Sequence, residues 1–163
     1  MSAQKAPAGK KKPEDRTSGL PYEVDMTSSA EEVYKKLARQ SKAAEAAGDY
    51  VSAHCTTFQM VRDAITRIIP NDPLNKCYAL RGDLANIFRI RKGRMRICWI
   101  ASSQMRRVCI LFISESLRKE GDAHDPYVIF KSLLESGMFD AMIQKYGVRI
   151  PKKGNSKHLA WPN

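Results

Sequence analysis

The 163-residue sequence contains no long hydrophobic run, since no apolar stretch approaches the roughly 18 to 20 residues that a membrane-spanning helix needs. The N-terminus carries lysines without the apolar segment of a secretory signal. The four cysteines are scattered and form no C-x-x-C pair, which is typical of reduced thiols and argues against disulfides or a zinc site. Together these absences predict a cytoplasmic protein.

The sequence motifs of several enzyme classes are also absent. The chain has no P-loop, no G-x-G-x-x-G and no G-x-S-x-G motif. Its acidic residues form neither a paired-carboxylate nor a metal-ligand pattern. His54 lies at helical spacing among apolar residues and is predicted to lie at the edge of the core. We therefore expect any chemistry to proceed without a metal or a nucleotide cofactor.

Positive charge is abundant and concentrated in one part of the chain. The formal net charge is +11, and residues 81–119 alone contain 10 basic and 2 acidic side chains. Such a local excess is typical of a nucleic-acid-binding surface. A basic tail alone would be weaker support for that interpretation.

Two amphipathic helices are predicted after an N-terminal extension. Residues 1–27 are rich in Lys, Pro, Gly and Ser without periodicity, and this composition predicts a disordered segment. The first helix is expected to begin near Ser28 or Ser29, with Ser29 and Glu32 as a capping box. The second helix, capped by Asp49, carries apolar residues at spacings of three and four over residues 51–68.

The period then changes to that of strands. Residues 76–80 predict a short edge strand, residues 88–99 a hairpin, and residues 107–114 a central strand buried on both faces. Helices are expected over residues 126–136 and 138–146, followed by a basic tail over residues 147–163. The predicted fold class is α+β: residues 28–146 form an N-terminal helical hairpin packed on a small antiparallel β-sheet with C-terminal helices.

The predicted hairpin, FRIRKGRMRICW, places four arginines on one face. With a turn at residues 92–93, Arg91 is opposite Arg94 and Arg89 is opposite Arg96. Like charges directly opposite each other are unfavourable. The face could simply be solvated, or phosphate oxygens could lie between the arginines and relieve the repulsion.

Further polar residues are expected around this arginine face. Lys92 lies at the turn, and Arg81 and Arg118 lie near strand ends. His124 follows in a polar loop, where it could be merely exposed or could transfer a proton at neutral pH. Tyr127, at the start of a helix, could border the same face or pack against the sheet.

A resemblance to a known family lies in residues 80–121, which read LRGDLANIFRIRKGRMRICWIASSQMRRVCILFISESLRKEG. This run resembles the RelE superfamily of bacterial toxin ribonucleases, and it is closest to the YhaV-type branch. The shared features are the L-R-G opening, basic residues alternating on a strand, a basic and aliphatic start to the next strand, and an arginine after the hydrophobic strand. The similarity covers roughly residues 28–146, and the fold that it implies matches the one predicted above.

The resemblance implies metal-independent cleavage of messenger RNA, often on the ribosome, by attack of the substrate's own 2′-hydroxyl on the adjacent phosphate. By position, the implied catalytic arginines are Arg89, Arg91, Arg96 and Arg118. The superfamily often has lysine where this chain has Arg89 and Arg91, and arginine is a poorer general base. The aromatic acid or base of the superfamily has two candidates here, His124 by count and Tyr127 by its place at the helix start, and we prefer His124. Arg81, Lys92 and Arg94 are expected to bind substrate.

The resemblance also implies a protein partner. YhaV-type toxins are typically paired with an antitoxin, so we expect an acidic partner of the swapped-hairpin transcription-factor kind, in a complex that could bind DNA. The alternative hypotheses are a non-catalytic RNA- or DNA-binding module that uses the same arginine face, and an inactive toxin that still binds its antitoxin.

Overall fold

The computed structural model describes residues 19–115 and 125–151, and it combines helices and strands in one α+β domain, as predicted. The strands are β1 (Glu23–Met26), β2 (Phe88–Lys92), β3 (Met95–Ser102) and β4 (Arg107–Glu115). The helices are α1 (Ser28–Ala46), α2 (Ala53–Asp63), α3 (Ile69–Asn71), α4 (Pro126–Glu135) and α5 (Asp140–Lys145), and a π-helical turn (Ala64–Ile68) joins α2 to α3.

The strand β1 lies inside the segment that composition predicts to be disordered. It pairs with β4 from Glu23 opposite Arg107 onwards, and Thr27 Oγ1 then donates a 2.9 Å hydrogen bond to the carbonyl of Leu111. The predicted domain boundary at residue 28 is therefore wrong for residues 23–27. Residues 1–18 of the extension and 152–163 of the tail lie outside the described residues.

The helix α1 begins where it is predicted to begin, but with a different cap. Thr27 Oγ1 accepts a 3.2 Å hydrogen bond from the backbone N–H of Ala30, so Thr27 is the N-cap in place of the predicted Ser29. The helix ends at Ala46, ahead of Gly48, whose φ of +80° lies in the left-handed region that glycine favours.

The helix α2 starts later than the sequence predicts. Its N-cap is Ser52, which accepts a 3.2 Å hydrogen bond from the N–H of Cys55, so the prediction of Asp49 as the cap is wrong. Val51 therefore precedes the helix and is 90% exposed rather than part of the apolar stripe. His54 falls in the first turn and is exposed, so its predicted place at the core edge is also wrong.

The four strands form one mixed sheet in the order β1-β4-β3-β2. The pairs β2–β3 and β3–β4 are antiparallel, whereas β1 is parallel to β4, so the expectation of a purely antiparallel sheet is wrong. The central position of β4, buried on both faces, is confirmed. The predicted strand over residues 76–80 is a 3₁₀ turn over 76–78 followed by one isolated bridge from Ala79 to Phe88.

The two faces of the sheet carry separate apolar cores. One face packs against the helical hairpin through residues that include Phe88, Ile90, Ile97, Trp99, Val108, Ile110 and Ile113. The other face packs against α4 and α5 through Cys98, Ile100, Cys109, Leu111 and Phe112. A β-bulge interrupts the alternation of side chains along β4, because the partner of Cys98 is Phe112 while that of Trp99 is Ile110. Two consecutive residues of β4, Leu111 and Phe112, thus face the C-terminal helices.

The C-terminal helices agree with the sequence prediction. The helix α4 has Pro126 in its first turn and ends before Gly137, whose φ is +83°. The helix α5 follows within the predicted range. Across residues 19–115 and 125–151, no helix combines the length and apolarity needed to cross a membrane.

Candidate active site

The arginine-bearing hairpin has a different register from the one expected. Arg91 is paired with Arg96, and Arg89 with Cys98, so the partners are shifted by two residues. The reason is the turn. Gly93 is the first residue of the two-residue loop, and its φ is +56°, the positive value that a loop with glycine first requires. Arg94 is the second residue of the loop.

The shift leaves one facing arginine pair instead of two. Arg94 lies in the turn and is exposed, whereas Arg89, Arg91 and Arg96 share the sheet face that packs against α4. We call these three residues the arginine face. The like-charged pair of Arg91 and Arg96 remains directly opposite across the strands, which concentrates positive charge at this point of the sheet.

Arg96 is held in place by the hairpin turn. The residue is only 8% exposed, and its Nη1 donates hydrogen bonds to the carbonyls of Gly93 at 3.0 Å and Met95 at 3.1 Å. Both acceptors are neutral, so these bonds orient the guanidinium without cancelling its charge. A guanidinium fixed in this way is preorganised to bind an anion such as a phosphate oxygen.

Tyr127 places an aromatic ring against the arginine face. The Cζ atom of Arg89 lies 4.8 Å from the centre of the Tyr127 ring, within the range of a cation–π contact. Asp125 caps α4 by accepting a 2.9 Å hydrogen bond from the N–H of Tyr127, which fixes the ring at the helix start. The helix start near residue 126 was predicted from the sequence, but the contact with Arg89 depends on how α4 packs on the sheet.

The hydroxyl of Tyr127 is buried, and the burial raises the pKa of the phenol, against the opposing effect of the nearby Arg89. The phenol therefore stays protonated at neutral pH. In this state it can donate a proton but cannot accept one as a base.

Cys98 is the partner of Arg89 across β2 and β3, and it was not predicted as a neighbour of the site. It is fully buried, and the burial raises the pKa of its thiol to about 12. The thiol is thus neutral at physiological pH, and Cys98 is a packing residue rather than a nucleophile. Its only signal in the sequence is its position two residues after Arg96 on the same face.

The remaining predicted site residues divide into two groups. Arg118 and His124 lie outside the described residues, in a segment that follows Glu115 at the end of β4 and precedes Asp125. Glu115 pairs with Met95, the neighbour of Arg96.

Arg81 and Lys92 complete the predicted set. Lys92 ends β2 and is half-buried, opposite Met95. Arg81 is exposed ahead of a 3₁₀ turn over residues 82–84, and no described contact joins it to the arginine face. Within the two described ranges, no group of three or more His, Cys, Asp or Glu side chains is placed to hold a metal ion.

An α+β domain with a cluster of arginines on one sheet face has the chemistry to bind anions such as phosphate. Residues 23–147 match the Toxin_YhaV family model, described as a toxin with endonuclease activity of a toxin–antitoxin system. The chain therefore belongs to the YhaV family of toxins, which confirms the family predicted from residues 80–121. As a toxin of such a system, it has an antitoxin as its partner.

Similar chains occur in solved structures of two toxins. One is the RelBE2 toxin–antitoxin complex of Mycobacterium tuberculosis, with 22% identity, 60% of this chain and 94% of that chain covered, and a TM-score of 0.44. Another is the isolated RelE toxin of E. coli, with 14% identity, 61% and 88% covered, and a TM-score of 0.45. No curated protein sequence matches significantly. The family assignment rests on the match over residues 23–147.

Proposed function

We propose that this toxin is a metal-independent endoribonuclease that cleaves messenger RNA, and that the arginine face binds the scissile phosphate. The observation that carries the proposal is the pair of Arg91 and Arg96, directly opposite each other with Arg89 on the same face. Guanidinium groups bind phosphate oxygens, and these oxygens gain negative charge as the 2′-oxygen attacks the phosphorus.

The cleavage step needs no group other than the RNA and the protein. The 2′-oxygen attacks the adjacent phosphorus, its hydroxyl loses a proton, and the bond to the 5′-oxygen breaks as that oxygen takes up a proton. The products are a 2′,3′-cyclic phosphate and a 5′-hydroxyl. The arginine face stabilises the charge that develops on the phosphate oxygens, and Arg118 is proposed to add to it.

We assign proton transfer to His124 and a positioning role to Tyr127. An imidazole with a pKa near neutrality can both accept and donate a proton. The Tyr127 hydroxyl is buried and its ring lies against Arg89, which supports a role in orienting that guanidinium. Arg81, Lys92 and Arg94 are proposed to contact the flanking backbone of the RNA.

The same charges support the expected partner. An acidic antitoxin of the swapped-hairpin transcription-factor type would neutralise the arginine face and compete with RNA, and its complex with the toxin would bind DNA. We place the activity in the cytoplasm, on messenger RNA engaged with ribosomes.

The test is cleavage of messenger RNA, free and engaged with ribosomes, by the purified full chain after the protein has been stripped of metal with EDTA. We expect new 5′-hydroxyl ends with the wild-type protein. Arg91→Ala and Arg96→Ala should each lower the cleavage rate by about 100-fold or more, because each removes one cation from the developing charge. Arg67→Ala is the matched control, since Arg67 is 74% exposed and paired with Asp63 on the side of the sheet that packs against α1 and α2.

Arg91→Ala keeps the experiment informative if Arg96→Ala fails to fold, because Arg91 is exposed. Folding of each variant is checked by thermal unfolding. Wild-type protein that binds RNA with or without ribosomes but produces no 5′-hydroxyl ends would favour a non-catalytic binding module and overturn the proposal. Absence of toxicity when the chain is expressed without its antitoxin would indicate an inactive toxin.

A further inference from the structure

A second basic surface lies on the side of the molecule opposite the arginine face. It is a groove of about 450 Å³ along the outer side of α1 and α2. Lys35, Arg39 and Lys42 line it from α1, at spacings of four and three residues that place them on one helix face, and Arg62 lines it from α2. We call these four residues the helical groove.

Most of the charge in the helical groove is not neutralised. Lys35 pairs with Glu31 at 3.0 Å, but Arg39, Lys42 and Arg62 form no ion pair with any residue that the structure describes. Glu45 lines the same groove and offsets one charge. The groove therefore presents a net excess of positive charge.

The cations are not needed to hold the two helices together. Contact between α1 and α2 is made by the side chains of Tyr34 and Phe58, whose ring centres are 5.5 Å apart at an angle of 59°. Arg39, Lys42 and Arg62 are instead exposed. Their convergence on one groove is thus unexplained by packing, and it fits a polyanion.

The groove fits a nucleic-acid backbone better than unpaired bases. Sites for single strands usually offer exposed aromatic rings on which bases stack. Here Phe58 is half-buried and engaged with Tyr34, so what the groove offers to a ligand is charge. Double-helical RNA is bound mainly through its phosphates and sugars, which such a surface can reach.

We propose that the helical groove binds the phosphate backbone of double-helical RNA. This inference rests on the proposed function. The toxin would hold a structured RNA on one side while the arginine face cleaves a single strand on the other. The two surfaces lie on opposite faces of the sheet, so both can be occupied together.

The experiment measures binding of the full chain to a duplex of about 16 base pairs, long enough to span successive grooves. The duplex is made of 2′-O-methyl RNA, which cannot be cleaved by 2′-hydroxyl attack. The triple variant Arg39→Ala/Lys42→Ala/Arg62→Ala should bind at least about tenfold more weakly at 0.15 M salt. The slope of log K against log salt should fall in magnitude by about 2 to 3, as expected when three phosphate contacts are lost.

The matched control is Lys76→Ala/Lys145→Ala/Arg149→Ala, which removes the same charge from exposed positions elsewhere. An equal loss of affinity in both triple variants would overturn the proposal, because it would show an effect of net charge alone. So would a groove variant that keeps duplex affinity but loses affinity for polyglutamate, since the groove would then be a surface for an acidic protein.

A cleavage assay separates this proposal from the proposed function. The groove variant should cleave a short single-stranded RNA at the wild-type rate. If neither the wild type nor the groove variant cleaves RNA, the proposed function fails. The duplex-binding result still decides the role of the helical groove.

Discussion

At the scale of single residues, the contact between Arg89 and Tyr127 assigns different roles to the ring and to the hydroxyl. The ring lies 4.8 Å from the guanidinium carbon, whereas the hydroxyl is buried. A cation–π contact of this kind contributes about 0.5 to 2 kcal/mol. That is enough to hold Arg89 in one orientation on the arginine face.

Substitutions at Tyr127 test this division. We expect Tyr127→Phe to keep single-turnover RNA cleavage within about threefold of wild type, because the ring and its contact with Arg89 remain. Tyr127→Ala should lower the rate by about tenfold or more, since it frees Arg89. The pH profile should be unchanged in Tyr127→Phe. A loss of about 100-fold in Tyr127→Phe would instead identify the hydroxyl as the proton donor.

A second residue-scale prediction concerns His124. We expect His124→Ala to lower the cleavage rate by about 100-fold to 10,000-fold and to remove the titration near neutral pH from the rate profile. The matched control is His54→Ala, because His54 is an exposed histidine on α2. Equal activity of the two variants would exclude His124 from proton transfer.

The arginines of the site could be predicted from the sequence, whereas their neighbours could not. Alternation along a strand is local, so it places Arg89 and Arg91 on one face whatever the rest of the chain does. The register depends on which residue takes the first turn position, and Gly93 moved it by two residues. The Tyr127 contact depends on tertiary packing, for which a single sequence has no local signal.

At the scale of elements, Thr27 joins a strand to a helix. Its N–H donates to the carbonyl of Ile110, its Oγ1 donates to that of Leu111 at 2.9 Å, and the same oxygen caps α1 through Ala30. One side chain thus ends β1 and begins α1. The sequence pattern favours Ser29 as the cap because Glu32 follows it three residues later.

A pair of alanine substitutions distinguishes the two caps. We expect Thr27→Ala to lower the free energy of unfolding by about 1 to 2 kcal/mol, because it removes both the cap and the bond to β4. Ser29→Ala should change it by less than about 0.5 kcal/mol. Urea unfolding at neutral pH measures both values, and a larger effect at Ser29 would restore the cap predicted from the sequence.

The elements that were predicted correctly are those with a local pattern. The start of α1 was predicted near Ser28, that of α4 from Pro126, and the span of β4 from its apolar run. The strand β1 was missed because its four residues, EVDM, are too few to show alternation, and its partner lies far along the chain. Its pairing with β4 is therefore seen only in the folded structure.

At the scale of the whole molecule, a polar cluster joins the two ends of the described chain. Arg107 forms two hydrogen bonds with the Asp25 carboxylate, at 2.9 and 2.7 Å, and Tyr146 donates to the same carboxylate at 2.5 Å. The hydrogen bond from Arg107 is the main cause that lowers the pKa of Asp25 to about 2. The first strand and the end of α5 are thus connected through one carboxylate.

The pKa of Asp25 predicts how stability depends on pH. A carboxylate whose pKa is lower in the folded state stabilises the fold above its unfolded pKa of about 3.9, and this contribution is lost as the pH falls towards 2. We expect Asp25→Asn to be less stable than wild type by about 1 to 3 kcal/mol at pH 7, with a smaller difference near pH 2. Unfolding in urea at both pH values measures the difference.

Glu23→Gln is the control for Asp25→Asn. Glu23 also pairs with Arg107, at 2.7 Å, but its side chain is 74% exposed, so the substitution should cost less than about 1 kcal/mol at pH 7. A difference between Asp25→Asn and wild type that stays constant from pH 7 to pH 2 would contradict the role of the charged carboxylate.

The parallel pairing of β1 with β4 also determines the order in which the sheet can be completed. Glu23 and its partner Arg107 are 84 residues apart, which corresponds to roughly 4 to 17 seconds of synthesis at about 5 to 20 residues per second. The strand β1 is therefore made first among the strands, yet it has no partner until β4 has followed. Tyr146 reaches Asp25 later still, because 121 residues separate them. In a newly made toxin, the arginine-bearing hairpin is thus synthesised before β4, the strand that joins it to β1.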